Sequence, residues 1–133
     1  MREILFRGKR VDDGQFAYGY VGIFKGKTQI YVPFTEEEEK ENDGHIFSAI
    51  GGLWHTVEPS TVGQFTGLTD KNGKKIFEGD VLKDITDGVP REVFYCNESA
   101  MFLKKGILRS SLGNPLHLEV IGNIHDNPEL LEG

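Results

Sequence analysis

The chain has 133 residues with a formal charge of −6; 38% of them are hydrophobic and 27% charged. That length suits one domain or two half-sized lobes, and it buries enough surface to fold without metal or disulfide support. The composition excludes a disordered chain, and the 17 glycines beside plentiful aromatic and β-branched residues favour strands joined by tight turns over a helical bundle.

One cysteine, Cys96, rules out an internal disulfide and fits a reducing compartment such as cytoplasm. The opening residues lack the apolar core of a signal peptide, and no apolar run approaches the roughly 20 residues of a membrane helix. Residues 36–43 carry a net −5, leaving about −1 for the remainder. A near-neutral body weighs mildly against nucleic-acid binding, which usually needs a basic footprint. Small basic groups do occur, at Arg2, Arg7, Lys9 and Arg10 and again at Lys71, Lys74 and Lys75.

Residues 3–9 predict a first strand, with Ile4 and Phe6 on one face and Arg7 and Lys9 leaning outward. Asp12-Asp13-Gly14 signals a turn. Phe16 to Phe24 predicts a second strand, its even positions placing Phe16, Tyr18, Tyr20 and Phe24 on one side and Ala17, Val21 and Ile23 on the other. Lys25-Gly26-Lys27 is a short turn, and Thr28 to Val32 a third strand ended by Pro33. Thr35-Glu36-Glu37-Glu38 has the form of a capping box, but no apolar periodicity follows it. A short exposed helix and a mobile loop both remain open there. Ile46 to Glu58, with Gly51-Gly52 and the single tryptophan Trp54, reads as one strand or two, closed by Pro59.

Asn72-Gly73 predicts a type I′ hairpin. Ile76 to Lys83 is its returning strand, with Gly79 a candidate bulge. Further strands are expected at Arg91 to Cys96 and Ala100 to Lys104. Leu116, Leu118, Val120, Gly122 and Ile124 then alternate with His117, Glu119 and Asn123, Ile121 being the exception. Asn127-Pro128 caps a terminal helical turn that folds Leu130 and Leu131 back. The reading divides the chain into a β-rich lobe at 1–58 and a second lobe at 59–133, within one compact unit.

The string from Val62 to Lys83 (VGQFTGLTDKNGKKIFEGDVLK) resembles the signature of the YopX family of phage and prophage proteins. The ending Glu119 to Leu131 (EVIGNIHDNPELL) and the opening Arg2 to Lys9 (REILFRGK) fit the same pattern. Residues 36–43 and 84–115 match nothing in it. The resemblance implies a mainly β fold of small barrel or half-barrel lobes, with the C-terminal part similar to an SH3-like barrel. It also implies residence in a bacterial host cytoplasm. It carries over no activity and no catalytic residue.

The chemistry-bearing patterns are weak. Gly67 to Lys75 fails as a phosphate loop, because five residues separate the glycines and Lys75 stands where Ser or Thr is needed. The same stretch fails as an EF-hand calcium loop. Glu78 and Asp80, two apart, suit acid–base work less well than a satisfied turn network. His45, His55, His117 and His125 lack metal-ligand spacing, and His117 beside Glu119 reads as mixed strand polarity. Cys96 reads as a buried small hydrophobe. The expectation is therefore no catalytic residue, no cofactor and no metal site.

The aromatic row Phe16, Tyr18, Tyr20 and Phe24 is read first as barrel core, with a base-stacking platform and a subunit interface as the other readings. Trp54, beside His55, suits an interface anchor. The candidate binding residues are accordingly Trp54, His55, Tyr18 and Tyr20. The leading function is a non-enzymatic protein-binding or assembly module, docking a protein partner or a second copy of itself. The alternative is a weak single-stranded nucleic-acid-binding protein. No membrane partner is expected.

Overall fold

The computed structural model describes residues 3–35, 51–97, 101–105, 110–111 and 114–132. The described residues are mainly β, as the composition implies. The chain divides into two compact units, one of Ile4–Val62 and one of Gly63–Gly133 together with Met1–Glu3.

In the first unit, strands β1 (Phe6–Lys9), β2 (Phe16–Phe24), β3 (Lys27–Pro33) and β4 (Gly52–Thr56) run antiparallel in the order β4-β3-β2-β1. The β2–β3 hairpin closes on Lys25 (φ 51°) and Gly26 (φ 77°), both left-handed as a type I′ turn requires. The first turn holds because Gly14 (φ 71°) donates to the Arg10 carbonyl and the Asp13 carboxylate accepts from Gln15 N–H. Just past β4, Glu58 N–H donates to the Lys9 carbonyl, while Val57 N–H donates to that of Thr28. The β4 end therefore swings toward β1, two strands beyond its neighbour β3, and the sheet curls. Inside the curl lie Ala17, Ile30 and Val57, with Phe6, Val32 and Val62 packed on them.

This arrangement overturns two expectations. Arg7 is not outward but buried, at 4% exposure, with its guanidinium 4.5 Å from the Phe16 ring centroid. Ile4 is the exposed one, at 56%. The row of aromatics on β2 is not core either. Ala17 and Gly19 face the interior, and Gly19 lies so close to the Tyr31 carbonyl that a side chain has no room. The core side of β2 takes small residues, so the large ones go outside.

The second unit pairs β5 (Gly63–Thr69) with β6 (Lys75–Phe77), and orders β7 (Asp80–Asp84), β8 (Pro90–Cys96), β9 (Met101–Lys104), β10 (Ser110–Ser111) and β11 (Leu118–Asn123) as β10-β9-β8-β7-β11. Ile76, Leu82, Val93 and Leu118 form its core, with Leu68, Phe102 and Val120 against them.

The hairpin at Asn72-Gly73 is present but is not type I′. Thr69 pairs with Lys75, Gly73 N–H donates to the Asp70 carbonyl, and only Gly73 is left-handed, at φ 80°. That is a type I turn followed by a left-handed glycine, the three-residue hairpin. The cause is Asp70, whose Oδ1 accepts from Asn72 and Lys74 N–H at 2.9 Å each, while Oδ2 accepts from Val120 N–H of β11 at 2.9 Å. One buried carboxylate thus ties the hairpin tip to a strand fifty residues away.

Gly79 is more than a bulge. At φ 91° it ends β6, and the chain turns into β7, with Asp80 Oδ2 accepting from Phe77 N–H at 2.8 Å. The bulge lies in β11 instead, between Val120 and Gly122, which explains why Ile121 breaks the alternation. Leu116 falls out of that strand, in a single 3-10 turn (Pro115–His117), and is 71% exposed. The terminal turn Pro128–Leu131 forms, but the Asn127 side chain accepts from Asn123 N–H rather than capping it. The acidic run at 36–43, and the alternatives for 46–50, lie outside the described residues.

Asp84 is held by Thr86, whose hydroxyl and N–H both donate to its Oδ1, and by Lys104, 3.2 Å from Oδ2. The Thr86 bonds first, and Lys104 after opposing desolvation, lower its carboxyl from 3.8 to about 2. Burial pushes the Asp70 carboxyl up, but the N–H groups of Val120, Lys74 and Asn72 outweigh it and the net shift is downward. Both groups therefore stabilise the fold fully above their unfolded value, and the contribution is lost as pH falls through the folded one. The melting temperature is expected to decline from pH 3.8 toward about 2. An Asp84→Asn variant should show a shallower decline in the same scan.

Candidate binding face

Cross-strand partners share a face, and the register puts Tyr18, Tyr20, Gly22 and Phe24 of β2 with Gln29 and Tyr31 of β3 and Trp54 of β4. This is the outer face of the curled sheet. Tyr18 is 47% exposed, Tyr20 52%, Trp54 56% and Phe24 65%. Tyr18 packs tilted on Phe16, with ring centroids 6.1 Å apart, and Trp54 tilts against Tyr31 at 5.1 Å.

The Trp54 indole crosses Gln29 and reaches Gly22. A Cβ on Gly22 would stand 3.1 Å from its Cη2 and Cζ3 atoms, so the glycine is what lets the indole lie down. Beside it opens a groove of about 540 Å³ lined by Gly22, Ile23, Phe24, Gln29 and Trp54. Volumes of this order hold a small organic group. Gly22, Gln29 and Tyr31 are not among the residues that the sequence singles out. Gly22 does carry a signal, since it interrupts the aromatic row at an even position between Tyr20 and Phe24.

Of the four candidate residues, Tyr18, Tyr20 and Trp54 share this face. His55 does not: it pairs with the buried Ile30, on the opposite side of the sheet, and is half-buried there.

Charge on the face is one-sided. Strands β1–β4 and the Lys25-Gly26 turn contain Arg7, Lys9, Lys25 and Lys27 and no carboxylate. Lys9 sits 4.8 Å from the Phe16 ring centroid and donates to the Gly14 carbonyl; Lys25 sits 5.5 Å from that of Phe24. Among the described residues, Asp12 and Asp13 in the β1–β2 turn both pair with Arg10.

The remaining sequence candidates fall elsewhere. Asp80 is buried on Phe77 N–H, and Glu78 accepts from Gln64 N–H at 3.4 Å. His117 lies in the 3-10 turn, off the strand that carries Glu119, and Glu119 pairs with Lys71 at 3.6 Å. Cys96 is buried. Among the described residues no group of three or more His, Cys, Asp or Glu side chains is placed to hold a metal ion. No described helix is long and apolar enough to cross a membrane.

The crystal structure of protein EF1440 from Enterococcus faecalis is similar at 22% identity and a TM-score of 0.54, covering 99% of this chain and 100% of that one. At that identity the likeness speaks for the fold alone. No curated protein matches. The family model described as YopX protein matches residues 6–132, nearly the whole chain, and the protein belongs to the YopX family.

Proposed function

We propose that this protein is a non-enzymatic binding or assembly module, acting through the outer aromatic face of β2, β3 and β4. The observation that carries the reading is the exposure of Tyr18, Tyr20, Phe24 and Trp54 on one face, beside a groove that Phe24 and Trp54 line. Folding alone gives no reason to leave such side chains in water, since burying one is worth about 1.5–3 kcal/mol. Clustered exposed aromatics mark surfaces that are covered in use, and Tyr and Trp dominate binding hot spots. The reading includes a phage or prophage origin and action in the bacterial cytoplasm, supported by the family resemblance. It also takes the C-terminal unit as SH3-like.

The test is recovery of bound material by tagged protein from bacterial lysate, with and without nuclease, comparing the wild type with a Tyr20→Ser/Trp54→Ser variant. Both positions are exposed, so the variant is expected to melt within a few degrees of the wild type, surface changes costing about 0.5 kcal/mol or less. A stoichiometric species kept by the wild type and lost by the variant supports the reading. Equal recovery by both would sink it.

A further inference from the structure

We infer that the occupant of this face is single-stranded nucleic acid, with a base stacked in the Trp54–Phe24 groove and its backbone phosphates at Lys25 and Lys27. The inference rests on the reading of the outer face as a binding surface and adds the chemical class of the ligand.

Three features select that class over a protein surface. The first is charge: among the described residues, strands β1–β4 and their hairpin tip carry exposed or half-buried lysines at Lys9, Lys25 and Lys27 and no carboxylate. Protein interfaces are depleted in lysine, whereas a polyanion calls for it. The second is the spacing of the flat side chains. Tyr18 and Tyr20 stand two residues apart on β2, and Tyr31 and Trp54 continue the row across the sheet through the Tyr20–Tyr31 and Tyr31–Trp54 pairs. Sheet faces that bind single strands use such aromatic rows, because every base offers a π-face to stack on.

The third feature is the groove itself. It is lined by the Trp54 indole, the Phe24 ring, Ile23 and Gly22, and its polar group is the Gln29 amide, which both donates and accepts hydrogen bonds. A duplex hides its base faces and cannot use such a slot. The net charge of −6 opposes long-range attraction, so binding is expected to be weak and confined to low salt.

Trp54 is the only tryptophan, so its fluorescence reports the groove directly. The experiment titrates full-length protein with a short oligodeoxythymidylate and with a duplex of equal length, at several salt concentrations. Sedimentation of the protein alone is followed in parallel. Quenching of Trp54 by the single strand, with weaker binding of the duplex, is the expected result. Phe24→Ala is expected to weaken binding roughly 5- to 100-fold, the range for losing one stacked base. Trp54→Phe should retain most of the affinity that Trp54→Ala loses, both read by anisotropy of a labelled strand. Replacing Lys25 and Lys27 with Gln should flatten the slope of log affinity against log salt by about 0.7 for each phosphate no longer neutralised.

Failure of the wild type to bind the single strand at low salt would overturn the inference. So would equal affinity for the duplex. If the oligonucleotide fails but the protein self-associates in a manner abolished by Trp54→Ala, the face remains a binding surface and its occupant is a second copy. If neither occurs and Tyr20→Ser/Trp54→Ser recovers the same material from lysate as the wild type, the binding-face reading falls as well.

Discussion

Replacing Asp70 with alanine is expected to cost about 3 kcal/mol or more, since it strands three backbone groups at roughly 1–3 kcal/mol each. The carboxylate is 5% exposed and accepts from the N–H groups of Asn72, Lys74 and Val120. Alanine leaves those donors without that acceptor in a site that water reaches poorly. The loss is also cooperative. The hairpin tip of β5–β6 is fastened to β11 by this side chain and by Lys71 N–H donating to the Leu118 carbonyl at 2.9 Å. Leu118 belongs to the core of the second unit, so releasing the tip loosens the packing beneath it. Asp70→Asn keeps one acceptor oxygen and the shape, and should lose less than half as much. Urea denaturation of the three proteins measures this; a cost below about 1 kcal/mol for alanine, no more than an average net hydrogen bond, would show the knot to be incidental.

The second large effect is expected at Gly19. Any Cβ there collides with the Tyr31 carbonyl and stands 3.4 Å from Ile30 Cγ2. The obstacle is backbone, so relief requires β2 and β3 to separate where their hydrogen bonds hold the curl. Gly19→Ala is expected to lose about 3 kcal/mol or more, at the upper end of overpacking costs. Gly26→Ala is the control. That residue has φ 77° and open space around it, so only the left-handed penalty applies, about 1 kcal/mol. Comparable losses at the two positions would mean that the β2–β3 approach is slack.

Gly19 also explains why the sequence pattern misplaces the outer face. Alternation on β2 separates Phe16, Tyr18, Tyr20 and Phe24 from Ala17, Gly19, Val21 and Ile23 correctly, but alternation does not say which side is inside. Hydrophobic bulk points to the aromatics. What decides the matter is the short distance between β2 and β3 and the swing of Val57 into the curl, and both depend on contacts remote in sequence. Arg7 differs: it lies on the Tyr18 side of the sheet as its parity predicts, but it is buried with its guanidinium stacked on Phe16.

Sequence is more informative where the chemistry acts locally. Asp12-Asp13-Gly14, Lys25-Gly26 and Pro128 mark turns that form at those positions. Asn72-Gly73 marks the hairpin but suggests the wrong turn type, because the Asp70 side chain selects a type I geometry that the dipeptide alone does not reveal. His55 is a neighbour of Trp54 in sequence, but adjacent residues on a strand point to opposite faces. The groove has one clue in the sequence, the glycine in an aromatic row. Gln29 and Tyr31 join it only through the register of β3, which no local pattern discloses.

The exposure of the aromatic face underlies the whole functional reading, and Trp54 reports it without a ligand. Collisional quenching by acrylamide and iodide should be measured at concentrations where sedimentation finds a single monomeric species. A red-shifted emission, quenched nearly as readily by both agents as free indole, is the expected result. A blue-shifted emission shielded from iodide in that monomer would place Trp54 in a core and contradict the open face.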